Sequence, residues 1–338
     1  MKKEIIGYVG SGEFTREDAG KLTGINLAFG ELHRDGSVTC NGCKEKIDLI
    51  PQIRQWNGDL RIILSMVQAD RDAFTVCCAT EEMREKAAAA LVEACVKYDL
   101  DGVDLDWEYP CVPSNGSAVS PDDKHNFTLF CAQIRKALDA LGGKKHYLTI
   151  AAGADVYYVN CTELPELMEY LDYINVMTYD LKCGFHALAG HHTALFSNVG
   201  DVFRNSCAQA LALFEAHGVS ADRLNMGAAF YSRKWVDLKE NGNHGLLELC
   251  PKGGGYGPDY GILVEDYIDK NGYTCYWDEE AQAPYLFNGS TFLSYDDPRS
   301  LKAKAEYVKE KGYMGIFYWE HKCDSTRTLL DTLYKELA

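Results

Sequence analysis

Short apolar runs alternate along the chain with longer segments of helical periodicity. We interpret eight of the apolar runs as strands, at residues 4–9, 25–30, 60–66, 102–107, 146–153, 173–178, 224–230 and 313–319. Their apolar residues are mostly contiguous, which is typical of parallel strands that are covered on both faces. Helices are predicted at residues 80–98, 122–141, 201–217, 298–311 and 325–337.

This alternation of strands and helices predicts βαβ units and a parallel sheet. Eight such strands in 338 residues favour closure into a (β/α)8 barrel, a fold that typically needs roughly 200 to over 400 residues. We therefore predict an α/β protein whose site lies at the carboxyl ends of the strands.

The connection after the seventh predicted strand is unusually long. Loops of more than ~15 residues normally carry structure or function of their own. This one contains three consecutive glycines at 253–255 and strand-like pieces at 273–277, 283–287 and 291–295. We predict a small α+β insertion subdomain at residues 234–293, between strand 7 and helix 7 of a catalytic barrel formed by residues 1–233 and 294–338.

Three carboxylates occupy alternating positions on the fourth predicted strand. They are Asp104, Asp106 and Glu108, in the segment DGVDLDWEYP. Because strand side chains alternate between faces, all three project to one side, which in a barrel is the interior. Like charges a few ångströms apart raise one another's pKa, and this keeps a carboxyl group protonated near neutral pH. The pattern indicates an acid–base site; solvated acids or a cation site are the alternatives.

The acidic segment resembles the Asp-x-x-Asp-x-Asp-x-Glu signature of glycoside hydrolase family 18, the chitinases and their relatives. The insertion at 234–293 is similar to the chitinase insertion domain of that family. Further similar segments are Gly7-Tyr8, Ala28-Phe29, Met177-Thr178-Tyr179-Asp180, GAAFYSR at 227–233, residues 294–297, and residues 315–320 with Trp319.

The resemblance implies a retaining glycosidase that cleaves β-1,4-linked N-acetylglucosamine without a protein nucleophile. Glu108 would protonate the glycosidic oxygen, and the sugar's own acetamido oxygen would attack the anomeric carbon to give an oxazolinium ion. Asp106 would hold the acetamide N–H while Asp104 shares a proton with Asp106. Tyr179 would donate its hydroxyl proton to the acetyl oxygen.

Other residues are implied to bind substrate or to support the acids. Trp319 would form an aromatic floor under the sugar, since apolar sugar faces stack on such rings. Tyr8 and Ser65 are expected to steady Asp104. The predicted substrate-binding set is Trp319, Met177, Asp180, Tyr231, Arg233, Tyr8, Phe29, Ser65 and Trp107.

One segment departs from the family pattern. The family commonly has Ser-x-Gly-Gly after the third strand, whereas this chain has Ser65-Met66-Val67-Gln68. Without the glycines we expect the backbone to take a different path there, which affects the substrate-binding loop and the preferred sugar.

Composition and charge limit the kinds of molecule that the protein is expected to bind. The net charge of −16 disfavours nucleic acid and anionic membranes, and no apolar stretch reaches the roughly 18 residues of a membrane span. We predict a monomer whose partner is an N-acetylglucosamine-containing oligo- or polysaccharide. The N-terminus lacks the roughly 7–15-residue apolar core of a secretory signal. The protein is therefore expected to be cytoplasmic, or secreted with its signal removed.

The 13 cysteines are scattered through predicted helices and strands, which indicates reduced thiols. Cys40 and Cys43 form the CxxC pair of the chain, but a four-ligand zinc site needs a second pair. We predict no metal and no cofactor.

Three other functions stay open at this point. The first is an endo-β-N-acetylglucosaminidase that acts on N-glycans or on peptidoglycan. The second is an inactive chitin-binding lectin, although such proteins typically lack the acid that Glu108 supplies here. The third is a metal-dependent barrel enzyme, which would need more carboxylates on other strands.

Overall fold

The computed structural model describes residues 2–239 and 242–338, in which fourteen strands and eleven α-helices are assigned. The strands are β1 (Glu4–Val9), β2 (Gly24–Leu32), β3 (Val38–Thr39), β4 (Arg61–Gln68), β5 (Gly102–Leu105), β6 (Tyr147–Gly153), β7 (Tyr173–Met177), β8 (Leu224–Ala229), β9 (Tyr231–Trp235), β10 (Gly255–Asp259), β11 (Thr274–Asp278), β12 (Ala283–Phe287), β13 (Phe292–Ser294) and β14 (Gly315–Trp319). The helices are α1 (Arg16–Lys21), α2 (Lys44–Trp56), α3 (Ala73–Ala79), α4 (Glu81–Lys97), α5 (Asp123–Ala140), α6 (Val156–Asn160), α7 (Leu164–Leu167), α8 (Cys207–Ala216), α9 (Tyr260–Ile262), α10 (Pro298–Lys311) and α11 (Thr328–Leu337).

Eight parallel strands of the described chain close into a barrel, which confirms the predicted (β/α)8 fold. Their order is β1-β14-β8-β7-β6-β5-β4-β2, and β2 returns to pair with β1. The short strand β3 adds to β2 in antiparallel orientation. All eight predicted strands are present with ends shifted by at most a few residues.

Side chains alternate between the two faces of each barrel strand, and this produces one apolar layer inside the barrel and another beneath the helices. Ile6 and Tyr8 on β1 join Ile63 and Phe317 in a cluster that fills the barrel interior. Ile5 and Val9, on the other face of β1, belong to the cluster beneath the helices. Inward-facing polar residues are therefore held among packed side chains at the axis of the barrel.

The segment Ser65-Met66-Val67-Gln68, which lacks the family's glycines, stays within strand β4. Met66, Val67 and Gln68 pair with Gly30, Glu31 and Leu32 of β2. The Gln68 side-chain amide then donates to Ser117 Oγ over 2.9 Å. Continued strand pairing accounts for the backbone path without glycine.

A five-stranded antiparallel sheet follows β8, in the order β10-β9-β13-β12-β11. Trp235, Tyr285 and Phe292 are part of its separate apolar cluster. The sheet takes its strands from residues 231–294, so its first strand begins before residue 234. The division into two domains at 233/234 and 293/294 stays a prediction. Among the described helices, none is long and apolar enough to cross a membrane.

Candidate active site

Asp104 is fully buried in the barrel interior and accepts three side-chain hydrogen bonds. The Tyr8 and Ser65 hydroxyls each donate to Oδ2 over 2.7 Å, and the Thr149 hydroxyl donates to Oδ1 over 2.6 Å. Burial raises the pKa of Asp104, while the hydrogen bonds from Thr149, Ser65 and Tyr8 act in the opposite direction. The three donors fix the orientation of this carboxyl group.

Asp106 lies one inward position further along the strand direction. Its backbone N–H donates to the Met66 carbonyl over 2.9 Å, so pairing with β4 continues beyond the end of β5. The residue is 7% exposed, and its buried Oδ1 atom has no hydrogen-bond partner in the described protein. Burial, together with the charges of Glu108 and Asp104, raises the pKa of Asp106 well above its ordinary value. This oxygen therefore has no hydrogen bond to the protein, and it is shielded from solvent in this conformation.

Glu108 is the outermost of the three acids. Its side chain is exposed to solvent, yet protein groups surround its carboxyl group closely enough that burial is the main cause of a raised pKa. The Tyr109 hydroxyl partly opposes that rise, and the charge of Asp180 adds to it. A carboxyl group with access to solvent and a raised pKa is suited to proton donation.

Tyr179 lies two residues after the end of β7, among other aromatic rings. Its ring centroid lies 6.1 Å from that of Tyr231 and 5.9 Å from that of Phe317. Burial, followed by the charges of Asp106 and Glu108, raises the pKa of Tyr179 well above its ordinary value, so its hydroxyl keeps its proton. A side chain at Gly227 would lie 2.9 Å from the Tyr179 ring, which explains glycine at that position on β8.

Asp180 is held by a set of donors from two other segments. Arg233 donates to both carboxylate oxygens, from Nε over 2.6 Å and from Nη2. The Tyr231 hydroxyl donates to Oδ1 over 2.7 Å, and His192 Nδ1 lies 3.4 Å from the same oxygen. Burial alone would raise the pKa of Asp180, but the interactions with His192 and Arg233 outweigh it and hold the pKa below its usual range. The carboxyl group is therefore a fixed negative charge.

Trp319 and Phe29 form an aromatic pair at the same end of the barrel. Both are half-buried, and their rings stack with centroids 5.3 Å apart and an interplanar angle of 20°. The Tyr8 ring meets the edge of Trp319 at 5.8 Å. Met177 is half-buried and packs against the interior cluster beside them.

Trp107 does not face the barrel interior. The prediction that it binds substrate is therefore wrong for this structure. Its side chain is 2% exposed; it stacks on Phe74 of α3 at 5.2 Å and meets the edge of Phe127 of α5 at 5.4 Å. The physical reason is the strand alternation itself, since the residue between two inward-facing acids must point outward. Trp107 belongs to the core beneath the helices.

Tyr8 and Ser65 are also too buried to meet a substrate in this structure. They are 2% and 0% exposed, and each bonds to Asp104. The expectation that they steady Asp104 agrees with this geometry. Phe29 and Asp104 lie within β2 and β5. The other predicted site residues end a barrel strand, follow one closely, or lie on β9.

Two residues that support the site were not among those predicted from the sequence. Thr149 faces Asp104 because these residues are register partners on β6 and β5. His192 is fully buried behind Asp180. Only the register of neighbouring strands could have indicated Thr149, and no local pattern distinguishes His192 from a solvated loop histidine.

A buried ion pair braces the segments that carry Tyr179 and Tyr231. Lys304 of α10 donates to Asp296 over 2.6 Å and to the Thr193 hydroxyl over 2.7 Å, and both charged residues are at most 1% exposed. Asp296 also accepts from the backbone N–H of Ala229, at the end of β8. Thr193 in turn donates to the carbonyl of Thr178, next to Tyr179. The pair thus ties α10 to the ends of β7 and β8.

No group of three or more His, Cys, Asp or Glu side chains within residues 2–239 and 242–338 is arranged to hold a metal ion. The cysteines of these ranges are free thiols.

The family model for "Glycosyl hydrolases family 18" matches residues 4–324. Chitinase A1 of Niallia circulans is 38% identical over 314 residues, which are 86% of this chain and 44% of that protein. The endochitinase of Manduca sexta is 31% identical over 283 residues, or 77% of this chain and 50% of its own length. The chain thus spans about half the length of these curated relatives.

A solved structure described as a family 18 N-acetylglucosaminidase from Paenibacillus barengoltzii superposes with a TM-score of 0.95 at 46% identity. The match covers 99% of this chain and 100% of that one. Chitinase ChiW from Paenibacillus sp. str. FPU-7 superposes with a TM-score of 0.90 at 36% identity, over 99% of this chain and 42% of that one.

Proposed function

This chain belongs to glycosyl hydrolases family 18, and from that premise we propose that it is a retaining glycosidase that cleaves β-1,4-linked N-acetylglucosamine, with Glu108 as proton donor. The observation that carries the proposal is the line of three carboxyl groups with raised pKa values, which runs from the buried Asp104 through Asp106 to the solvent-exposed Glu108. Such a line is able to hold a proton near neutral pH and to deliver it at an open end.

Glu108 protonates the glycosidic oxygen as the bond to the leaving sugar breaks. Its raised pKa keeps the proton on the carboxyl group at a pH where an ordinary glutamate would be ionised. After the leaving sugar has departed, the same carboxylate takes a proton from the incoming water. General acid catalysis of this kind contributes typically about 10²–10⁴-fold to the rate.

The nucleophile in this proposal is the acetamido oxygen of the substrate, which closes on the anomeric carbon to give an oxazolinium ion. Asp106 turns toward the acetamide and accepts its N–H; the turn breaks no hydrogen bond at Oδ1, because that buried oxygen has no partner in the described protein. Tyr179 donates to the acetyl oxygen through a hydroxyl that stays protonated. Water then opens the ring from the face the leaving group occupied, so the configuration is retained.

Asp104 and Asp106 share one proton in this scheme. Because both are buried and Asp104 contributes to the raised pKa of Asp106, ionising both at once is unfavourable. The three hydrogen bonds to Asp104 stabilise its ionised form. Asp104 is therefore able to take negative charge while Asp106 turns from it toward the acetamide and Glu108.

Chitin and its oligosaccharides are the proposed substrates, because several curated relatives bear chitinase names. A second candidate is the release of single N-acetylglucosamine units from short oligosaccharides. It is favoured by the similarity, over the whole length of both chains, to the structure described as an N-acetylglucosaminidase.

Product analysis on chitin oligosaccharides, beside a high-mannose glycopeptide, tests the substrate class. We expect cleavage of the oligosaccharides, with the β-anomer formed first and detected by proton NMR. A substrate that carries glucosamine at the reacting position should not be cleaved there, because it has no acetamido oxygen. Equal cleavage at glucosamine would contradict substrate assistance, and cleavage of the glycopeptide alone would contradict the proposed substrate.

A further inference from the structure

Tyr256 is a large aromatic residue that the structure leaves 67% exposed beside the proposed site. It lies on β10, directly opposite Arg233 of β9 in the antiparallel pair. Directly paired residues of antiparallel strands project to the same face of a sheet. Tyr256 therefore shares a face with Arg233, the residue that holds Asp180.

The Tyr256 ring is positioned rather than free. The Arg233 guanidinium carbon lies 3.6 Å from the ring centroid, a cation–π contact, and the Tyr231 ring centroid lies 6.0 Å away. Arg233 itself is 8% exposed in its side chain and bonds to both oxygens of Asp180. The stacked guanidinium covers one side of the ring, while the exposed fraction leaves much of the remaining ring surface to solvent.

The contacts place this ring at the edge of the proposed site. Tyr256 contacts Arg233, Arg233 holds Asp180, and Asp180 directly follows Tyr179. The charge of Asp180 also reaches Glu108, where it raises the pKa. Two residues, Arg233 and Asp180, thus separate the ring from Tyr179, which is assigned to the reacting sugar.

An exposed, oriented ring of this kind suits a pyranose. The C–H groups of one sugar face pack on an aromatic surface, while the hydroxyl groups at the ring edge stay in water. A neutral polysaccharide also suits a chain of net charge −16, which would repel a polyanion.

We propose that Tyr256 is a specificity-determining residue that stacks on an N-acetylglucosamine unit beyond the two that flank the cleaved bond, and so sets the preference for longer oligosaccharides. This inference rests on the proposed function. Tyr256 touches neither the acids nor the reacting sugar in this scheme, so its effect is confined to substrates long enough to reach it.

The test compares kcat/KM on chitin oligosaccharides of two to five units for the wild type, Tyr256→Ala and Tyr256→Phe. We expect Tyr256→Ala to lower kcat/KM about tenfold on the longer substrates, from the lost stacking and apolar contact, with little change on the shortest. Tyr256→Phe should keep most of the preference, because the ring rather than the hydroxyl makes the contact. Tyr334→Ala, which removes a 40% exposed tyrosine from α11, is the matched control.

A purely structural role gives a different result. If Tyr256 only orders Arg233, Tyr256→Ala should reduce kcat/KM equally for every chain length and should shift the pH profile, because Asp180 would be released. That result, or no change at any length, overturns the proposal.

A binding measurement distinguishes failure of the stacking role from failure of the proposed function. Calorimetry with the five-unit oligosaccharide should give about tenfold weaker binding for Tyr256→Ala than for Tyr256→Phe, when both are combined with Glu108→Gln. If the wild type cleaves no N-acetylglucosamine substrate, the proposed function fails while the binding comparison still decides the stacking role. Equal binding by the two variants overturns the stacking role alone.

Discussion

The Arg233 guanidinium donates hydrogen bonds to both oxygens of the Asp180 carboxylate, and this pairing keeps a negative charge beside the acid cluster. The negative charge of Asp180 contributes to the raised pKa of Glu108. A residue that does not itself transfer a proton thus helps to keep the proposed donor protonated.

Asp180→Asn should therefore move the basic limb of the kcat/KM–pH profile to lower pH. Removing the charge of Asp180 removes a contribution that raises the pKa of Glu108, and it leaves the positive charge of Arg233 unpaired, which acts in the same direction. Glu108 would then lose its proton at a lower pH, and activity would fall there. The measurement is kcat/KM across the pH range with a chromogenic oligosaccharide.

The matched control is Asp48→Asn, which makes the same change on the exposed face of α2, where Asp48 pairs with Lys44. Its profile should coincide with that of the wild type. A basic limb that moves to higher pH in Asp180→Asn would show that the Asp180 charge does not act on Glu108 as proposed.

Lys304→Met should destabilise the fold by about 3–5 kcal/mol, because it leaves the buried Asp296 carboxylate without its counter-ion. The free energy of unfolding from urea denaturation is the measurement. Lys302→Met on the same helix removes a lysine with a 57% exposed side chain, and it should change that free energy by no more than about 0.5 kcal/mol. Combining Lys304→Met with Asp296→Asn should recover part of the loss. Equal, small effects of both lysine variants would contradict the bracing role of the pair.

Trp107→Phe should lower the free energy of unfolding by about 0.5–3 kcal/mol and leave KM unchanged. The reason is that Trp107 packs between Phe74 and Phe127, away from the barrel mouth. Trp319→Phe makes the same chemical change at a half-buried ring of the site and should raise KM instead. If Trp107→Phe raised KM with unchanged stability, the original prediction that it binds substrate would be restored.

The barrel was predictable because buried parallel strands leave a strong local signal. Contiguous apolar runs place β1 and β6 within one residue of their observed ends. Alternation also placed Asp104, Asp106 and Glu108 on one face, which requires only the geometry of a strand. The same rule, applied to Trp107, would have directed it outward to the helices; the resemblance to the family overrode it.

The features that the sequence did not predict depend on contacts between segments that are distant along the chain. Strands β9 and β10 contain charged residues and glycines, and β9 pairs with β10 on one edge and with the distant strand β13 on the other. Thr149 and His192 reach the acids through strand register and a long loop, and neither leaves a pattern in the sequence near it. The position of the exposed Tyr256 ring likewise depends on its contact with Arg233, which lies 23 residues earlier and which the local sequence does not predict.

Glu108→Gln is the most direct test of the account, because it changes one carboxyl group to an amide of the same shape. We predict that this variant loses at least about 10²-fold in hydrolysis of chitin oligosaccharides, while calorimetry shows that it still binds them with an affinity close to that of the wild type. Turnover at the wild-type rate in Glu108→Gln would contradict the assignment of Glu108 as proton donor.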